Sequence, residues 1–275
     1  MKHAAAIAWA LLMGLAFAAP AAAMTVMPQK LTCPIDGESF IFEAVASYTT
    51  FGERPDGKPY GFLASFPMAE CPTSHLVLYR DFNDAEISRL KVIVASPEYR
   101  AMAKDDAPHH RAAWLARKLG DAPVEIARLA LVATWEADFS PVQATYLREF
   151  IDAVGQVAPE ATSNSWLVLK ARAINAEREL GQFDVALKDI AALEETAQRT
   201  APKAADQNDN AARLQKDRQS TITYLEDLKR VVLRRDDSLE PLDMIPSGVR
   251  GDRCEALGAW RKHAKPEGIC DRKPG

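Results

Sequence analysis

The hydrophobic positions fall into successive patterns along the 275 residues. A continuous apolar block from Ala4 to Ala19 comes first, behind the basic head Lys2 and His3. Two short runs of β-formers follow, Ser39-Phe40-Ile41-Phe42-Glu43-Ala44-Val45 and Leu76-Val77-Leu78-Tyr79, and these predict strands. From Asn83 to about Arg235 the spacing becomes helical, as in Ile126, Leu129, Ala130 and Ala133, then Tyr146, Leu147, Phe150, Ile151 and Val154. A hydrophilic run, Ala201 to Lys216, interrupts that spacing and predicts a surface loop or a solvated helix start before Leu214–Leu233 resumes it. Beyond Arg235, Pro241, Pro246, Gly248, Gly251 and Gly258 exclude long elements, leaving a docked tail with one short helix around Glu255–Lys262.

Local signals sharpen the boundaries. Asn83 with Glu86 three residues on is a capping-box start for a helix over Ala85–Ala95. Ser96-Pro97 and Ser140-Pro141 each pair an N-cap residue with proline at the first helical position. Leu119-Gly120 and Leu180-Gly181 place glycine just past a helix end. Short connections imply antiparallel neighbours. Between the predicted strands, Gly52 to Gly61 contains Pro55-Asp56-Gly57, the order of a tight turn, and predicts a long exposed loop. The expected organisation is α+β and mostly α: residues 24–82 a small β-rich module, 83–235 an antiparallel helical-hairpin array, 236–275 a stapled tail.

Composition and charge change the picture mainly by exclusion. With 34 basic and 38 acidic side chains the net charge is −4, which gives no global pull towards nucleic acid or anionic lipid. The proportions also exclude a collagen-like or disordered chain. Residues 1–23 have the three-part form of a secretory signal, with Ala21-Ala22-Ala23 placing the mature start near Met24. No later apolar run approaches the ~18–20 residues of a bilayer helix, so the expected compartment is periplasmic or extracellular. Export makes the four cysteines, Cys33, Cys71, Cys254 and Cys270, candidates for two disulfides. Three pairings are open, and proximity favours Cys33–Cys71 with Cys254–Cys270.

Two resemblances add to this. From Trp166 to Leu187, an aromatic opens one helix, Leu180-Gly181 ends it, and Phe183 with Ala186-Leu187 opens the next. This resembles a tetratricopeptide-type helix hairpin, in which small residues let two helices approach. Trp114 to Trp135, with Leu119-Gly120 at its turn, is a looser match, and the distance between the two turns is not the family period. The resemblance implies a helical-hairpin array that binds protein or peptide, and not a regular solenoid.

Near the N-terminus, Thr32-Cys33-Pro34-Ile35-Asp36-Gly37 and Glu70-Cys71-Pro72-Thr73-Ser74-His75 resemble degenerate copies of paired C-P-x-C-G knuckles. Such knuckles begin an uncharacterised bacterial domain-of-unknown-function family that continues with tetratricopeptide-like helices. Intact knuckles would form a Cys₄ zinc site. Here Asp36 and Ser74 stand where second cysteines would. The resemblance then implies a zinc-ribbon-like module in which Cys33 faces Cys71 and a disulfide replaces the metal. A zinc site made of Cys33, Asp36, Cys71 and His75 is the alternative, and no other cofactor is expected.

Catalytic signatures are thin. The chain has no H-E-x-x-H, G-x-S-x-G, P-loop or G-x-G-x-x-G string. Ser88-Arg89-Leu90-Lys91 fits S-x-x-K, but K-T-G and S-D-N are missing, so it reads as a polar helix face. His109 and His110 follow Asp105 and Asp106; adjacent helical residues point about 100° apart, so the pair reads as a solvated helix start and not as one metal site. Trp114, Trp135 and Trp166 are expected in the core. The candidate partner contacts are Arg54, Lys58 and Tyr60 in the loop and Trp260 in the tail, beside the basic run Arg261 to Lys265. The function expected is a non-enzymatic binding or scaffold component of the bacterial envelope, with a periplasmic enzyme or zinc protein using a site between module and helices as the alternative. Whether the concave face of the helices is open or filled by the 236–275 tail separates a binding array from a self-contained structural protein.

Overall fold

The computed structural model describes residues 24–61, 67–159, 164–199 and 209–258. The signal-like segment and its cleavage site, Trp260 and Cys270 lie outside the described residues. Strands β1 (Met24–Thr32) and β2 (Ser39–Tyr48) pair antiparallel as a two-stranded ribbon, and β3 (Thr50–Glu53) and β4 (Pro59–Gly61) as a hairpin. Nine helices follow among the described residues: α1 (Asp84–Ala95), α2 (Pro97–Asp105), α3 (Pro108–Leu119), α4 (Pro123–Glu136), α5 (Gln143–Gly155), α6 (Asn164–Glu179), α7 (Phe183–Arg199), α8 (Asp209–Leu233) and α9 (Ser247–Gly258). From α3 to α8 each helix packs against the next, and α6 also packs against α8.

The helix starts show why the polar punctuation works. The Asn83 side chain accepts from the Glu86 N–H at 3.0 Å, and Glu86 Oε2 accepts from the Asn83 N–H at 3.0 Å, a complete capping box. Ser96 accepts from the Tyr99 N–H at 3.2 Å with Pro97 at the first position of α2. Gly120 and Gly181 both have positive φ, 84° and 71°, at the ends of α3 and α6. The Ser140-Pro141 expectation is off by two residues: those residues form a turn, and α5 starts at Gln143 without a side-chain cap. The tail helix starts at Ser247, not near Glu255: the Pro246 carbonyl accepts from the Val249 N–H at 3.0 Å and the Arg250 N–H at 2.9 Å.

The knuckles are the second source of order. Cys33 N–H donates to Glu38 O at 2.8 Å and Gly37 N–H to Cys33 O at 2.9 Å. The second turn repeats the pattern, with Cys71 N–H to Leu76 O at 2.9 Å and His75 N–H to Cys71 O at 3.0 Å. Leu76-Val77-Leu78-Tyr79 is not a strand: its pairing is limited to an isolated Glu70–Val77 bridge, flanked by Cys71 N–H to Leu76 O and Leu78 N–H to Ala69 O at 2.8 Å. Cys33 and Cys71 are disulfide-bonded with Cα atoms 5.5 Å apart. Both sit in one buried cluster with Leu76, Leu90, Tyr99 and Leu115. The change at residue 83 is therefore a change of secondary structure within one core. Two further clusters fill α3 to α6 and α6 to α8, the second joined by Met244 from the tail.

Candidate functional site

The loop expected to be exposed is the most inward-facing turn of the N-terminal segment. β3 and β4 close Arg54-Pro55-Asp56-Gly57-Lys58 by Arg54 N–H to Lys58 O at 2.8 Å, while Asp56 Oδ1 accepts from the Lys58 N–H at 3.0 Å. Arg54, Pro55 and Asp56 are buried, and Lys58 is 14% exposed. The tip enters the space between α4, α6 and α8. Arg54 forks onto Asp138, Nη1 to Oδ2 at 2.7 Å and Nη2 to Oδ1 at 3.1 Å, and its Nε donates to Asp56 Oδ1 at 3.1 Å. Lys58 Nζ donates to Asp138 Oδ2 at 2.7 Å and to Trp135 O at 2.8 Å. Pro55 O accepts from Tyr224 Oη at 2.7 Å and from the Arg172 guanidinium, which lies 4.8 Å over the Tyr224 ring.

Charge explains why this burial is tolerated. Two cations, Arg54 and Lys58, meet two carboxylates, Asp56 and Asp138, so the cluster is neutral as a whole. Burial opposes the charged guanidinium, but Asp56 and Asp138 outweigh it and the Arg54 pKa is raised. Arg54 and Lys58, expected as partner contacts, are therefore occupied within the chain. Tyr60 is half-buried beside them, its phenol pushed up by burial and by the charge of Glu240.

Nearly two turns further along α6 from Arg172 sits a second buried group that the sequence reading missed. Arg178 is fully buried; Nη1 donates to Asp236 O at 2.8 Å and Ser238 O at 2.7 Å, tying down the chain after α8, and Nε donates to Asn175 Oδ1 at 3.0 Å. Glu179 accepts from Asn175 Nδ2 at 2.7 Å; burial, then the charge of Asp56, push its carboxyl up to about 8. Glu177 is 3% exposed with Oε2 unpartnered, and burial followed by the charge of Asp189 pushes it up to about 7. The available signal was a set of charged residues, Arg172, Glu177 and Arg178, inside a helix otherwise rich in alanine and leucine.

The former zinc candidates separate. The disulfide uses both sulfurs, Asp36 Oδ1 accepts from the Glu38 N–H at 3.0 Å, and His75 Nδ1 lies 2.7 Å from Glu70 Oε1. Among the described residues no group of three or more His, Cys, Asp or Glu side chains is placed to hold a metal. Cys254 is also disulfide-bonded.

The histidines are not a solvated helix start, because α3 packs against α4 and both rings find partners on α4 and α5. His109 is 6% exposed and its Nδ1 lies 2.7 Å from Glu136 Oε1, whose other oxygen accepts the His109 N–H. His110 stacks on Tyr146 with centroids 4.0 Å apart, and its Nε2 lies 2.9 Å from Glu149 Oε2. That hydrogen bond to His110 holds the Glu149 carboxyl below its usual range.

Among the described residues open grooves lie beside these clusters, and three of them are lined by none of Arg54, Asp56, Glu177 and Glu179. One of about 900 Å³ lies under the β1–β2 ribbon. One of about 520 Å³ lies between α4, α6 and α8, next to the buried tip. The third, about 740 Å³, lies along α2, α3 and α5, with Met102, Trp114 and Ile126 on its floor. Its lining includes the carboxylates Glu98, Asp106, Asp121, Glu149 and Asp152 beside Arg117 and His110; Asp121 pairs with Arg80, Glu98 with Lys118, and Glu149 with His110 and Arg117.

No model of a known protein family matches the chain, and comparison with curated protein sequences and with solved structures finds none similar.

Proposed function

We propose that the protein is a non-enzymatic binding or scaffold component of the bacterial envelope, and that a partner bearing basic residues docks along α2, α3 and α5. The observation that carries this reading is the occupation of the buried ionic cluster. A general base or nucleophile needs a reactive atom that reaches substrate. Arg54, Lys58, Asp56 and Asp138 spend their polar atoms on one another and on the backbone of Trp135 and Lys58. The α2/α3/α5 groove, in contrast, offers an apolar floor with an acidic rim, the combination that favours an amphipathic basic segment. Export is supported by the signal-like N-terminus and by the Cys33–Cys71 bond, which belongs to oxidising compartments.

The test is cross-linked recovery of partners from envelope fractions with the native chain and with a Glu98→Lys/Asp152→Lys variant. Recovery of the same partner, weakened about tenfold by the reversals and by raised salt, is expected. Failure to recover any partner, or turnover of a cell-wall or peptide substrate, overturns the reading.

A further inference from the structure

The β1–β2 ribbon has two backbone edges, and they differ. The Cys33 N–H to Glu38 O bond at 2.8 Å makes 33/38 a hydrogen-bonded pair at the closed end. Pairs in an antiparallel ladder alternate between hydrogen-bonded and outward-facing. The register runs unshifted from Thr32/Ser39 to Val26/Val45. Thr32, Lys30, Pro28 and Val26 therefore turn their backbone outward on β1, and Ser39, Ile41, Glu43 and Val45 do so on β2. Pro28 has no N–H to offer, so it blunts the β1 edge without disturbing the ladder to β2. The outward row of β2 is complete, and neither edge has a partner strand among the described residues.

Exposed apolar side chains flank the ribbon, Ile41 61% and Tyr48 38% on β2 and Met27 54% and Val26 42% on β1. Lys30 and Glu43 are the only charges on the two strands, so this is a neutral region of an acidic chain. A two-stranded ribbon is marginal by itself, and further strands add most to it.

We propose that β2 pairs antiparallel with β2 of a second copy of this chain, giving a four-stranded sheet about a two-fold axis at Phe42. This register sets Ile41 opposite Glu43 and Ser39 opposite Val45, so every outward residue of β2 falls in a hydrogen-bonded pair. Moving the axis to Ile41 or Glu43 loses one such pair, and the Glu43 axis also sets two carboxylates face to face. With the axis at Phe42, the two Phe42 rings meet across the strands as an aromatic pair, on the face that lines the 900 Å³ groove. On the other face, Ile41 is covered between Lys30 and Glu43 of the second copy. The pairing does not depend on the α2/α3/α5 groove, and either stands if the other fails.

Light scattering and sedimentation of the full chain with its disulfides formed give the oligomeric state. A dimer that dissociates on dilution is expected. Glu43→Pro deletes an outward N–H by the logic of Pro28, and it should weaken dimerisation at least tenfold while the Cys33–Cys71 bond still forms. Because proline also stiffens the strand, Phe42→Cys supplies the second arm. As the non-hydrogen-bonded pair on the axis, position 42 places the two new thiols within disulfide reach, whereas Glu43→Cys thiols lie two positions out of register. Rapid cross-linking of Phe42→Cys alone supports the proposal. A monomer at all concentrations, a dimer untouched by Glu43→Pro, or equal cross-linking of both cysteine variants overturns it.

Discussion

Glu177 and Glu179 are carboxyls that the fold prefers protonated. Both are raised, to about 7 and about 8, chiefly by burial, so the folded chain holds these protons more tightly than the unfolded one. Their effect on stability is therefore absent below about pH 4.5 and increasingly unfavourable as pH rises to about 8. Glu70 and Glu149, held low, work in the opposite direction, and their contribution is complete above the ordinary carboxyl range and lost in acid. The stability maximum is expected on the acid side of neutrality. Glu177→Met, which removes the unpartnered Oε2, should exceed the native chain by about 1–3 kcal/mol at pH 8 and lose that advantage near pH 5. Denaturant unfolding at the two pH values measures both. A carboxylate in an alanine-rich helix is visible in the sequence; that Glu177 finds no partner is a property of what packs against α6.

At the scale of elements, caps and turns carry most of the information. Asn83→Ala removes the side-chain half of the α1 capping box and should cost about 1 kcal/mol, read as a lower thermal midpoint. The same local rules located the ends of α3 and α6. They failed for Leu76–Tyr79, where the facing segment Ala69–Cys71 is so short that pairing stops at a single Glu70–Val77 bridge. They also failed for Arg54–Lys58. Pro-Asp-Gly correctly signals a tight turn, but turn chemistry is the same whether the tip faces water or helices. Gly52 shows the difference: φ is 107°, and an added Cβ would stand 2.3 Å from Pro246, so the tail crosses the hairpin where only glycine leaves room.

Across the whole molecule, the disulfide and the buried tip hold distant segments together. Reducing Cys33–Cys71, or replacing both residues by serine, removes a cross-link spanning 38 residues and should cost roughly 3–4 kcal/mol. Metal analysis beside thiol titration checks the same site: bound zinc with free Cys33 and Cys71 would exclude the bond. Asp138→Ala leaves Arg54 with Asp56 alone and the Lys58 ammonium without a carboxylate, and a loss of about 3–5 kcal/mol is expected. Chemical unfolding monitored by tryptophan fluorescence reads it, because Trp135 donates its indole N–H to Asp56 O.

The sequence by itself determined strand β2, the helical span beyond Asn83, the capped starts of α1 and α2, the glycine-marked ends of α3 and α6 and the candidate cysteines, because periodicity, caps and proline act over a few residues; it did not mark β1, β3 or β4. Only the tertiary structure decided that the hairpin tip fills the space between α4, α6 and α8, and that Asp138, Tyr224 and Arg178 receive it and the tail. Those partners lie 58 to 169 residues away along the chain. Pairing a buried charge depends on where the fold brings its counterpart, which no local pattern encodes.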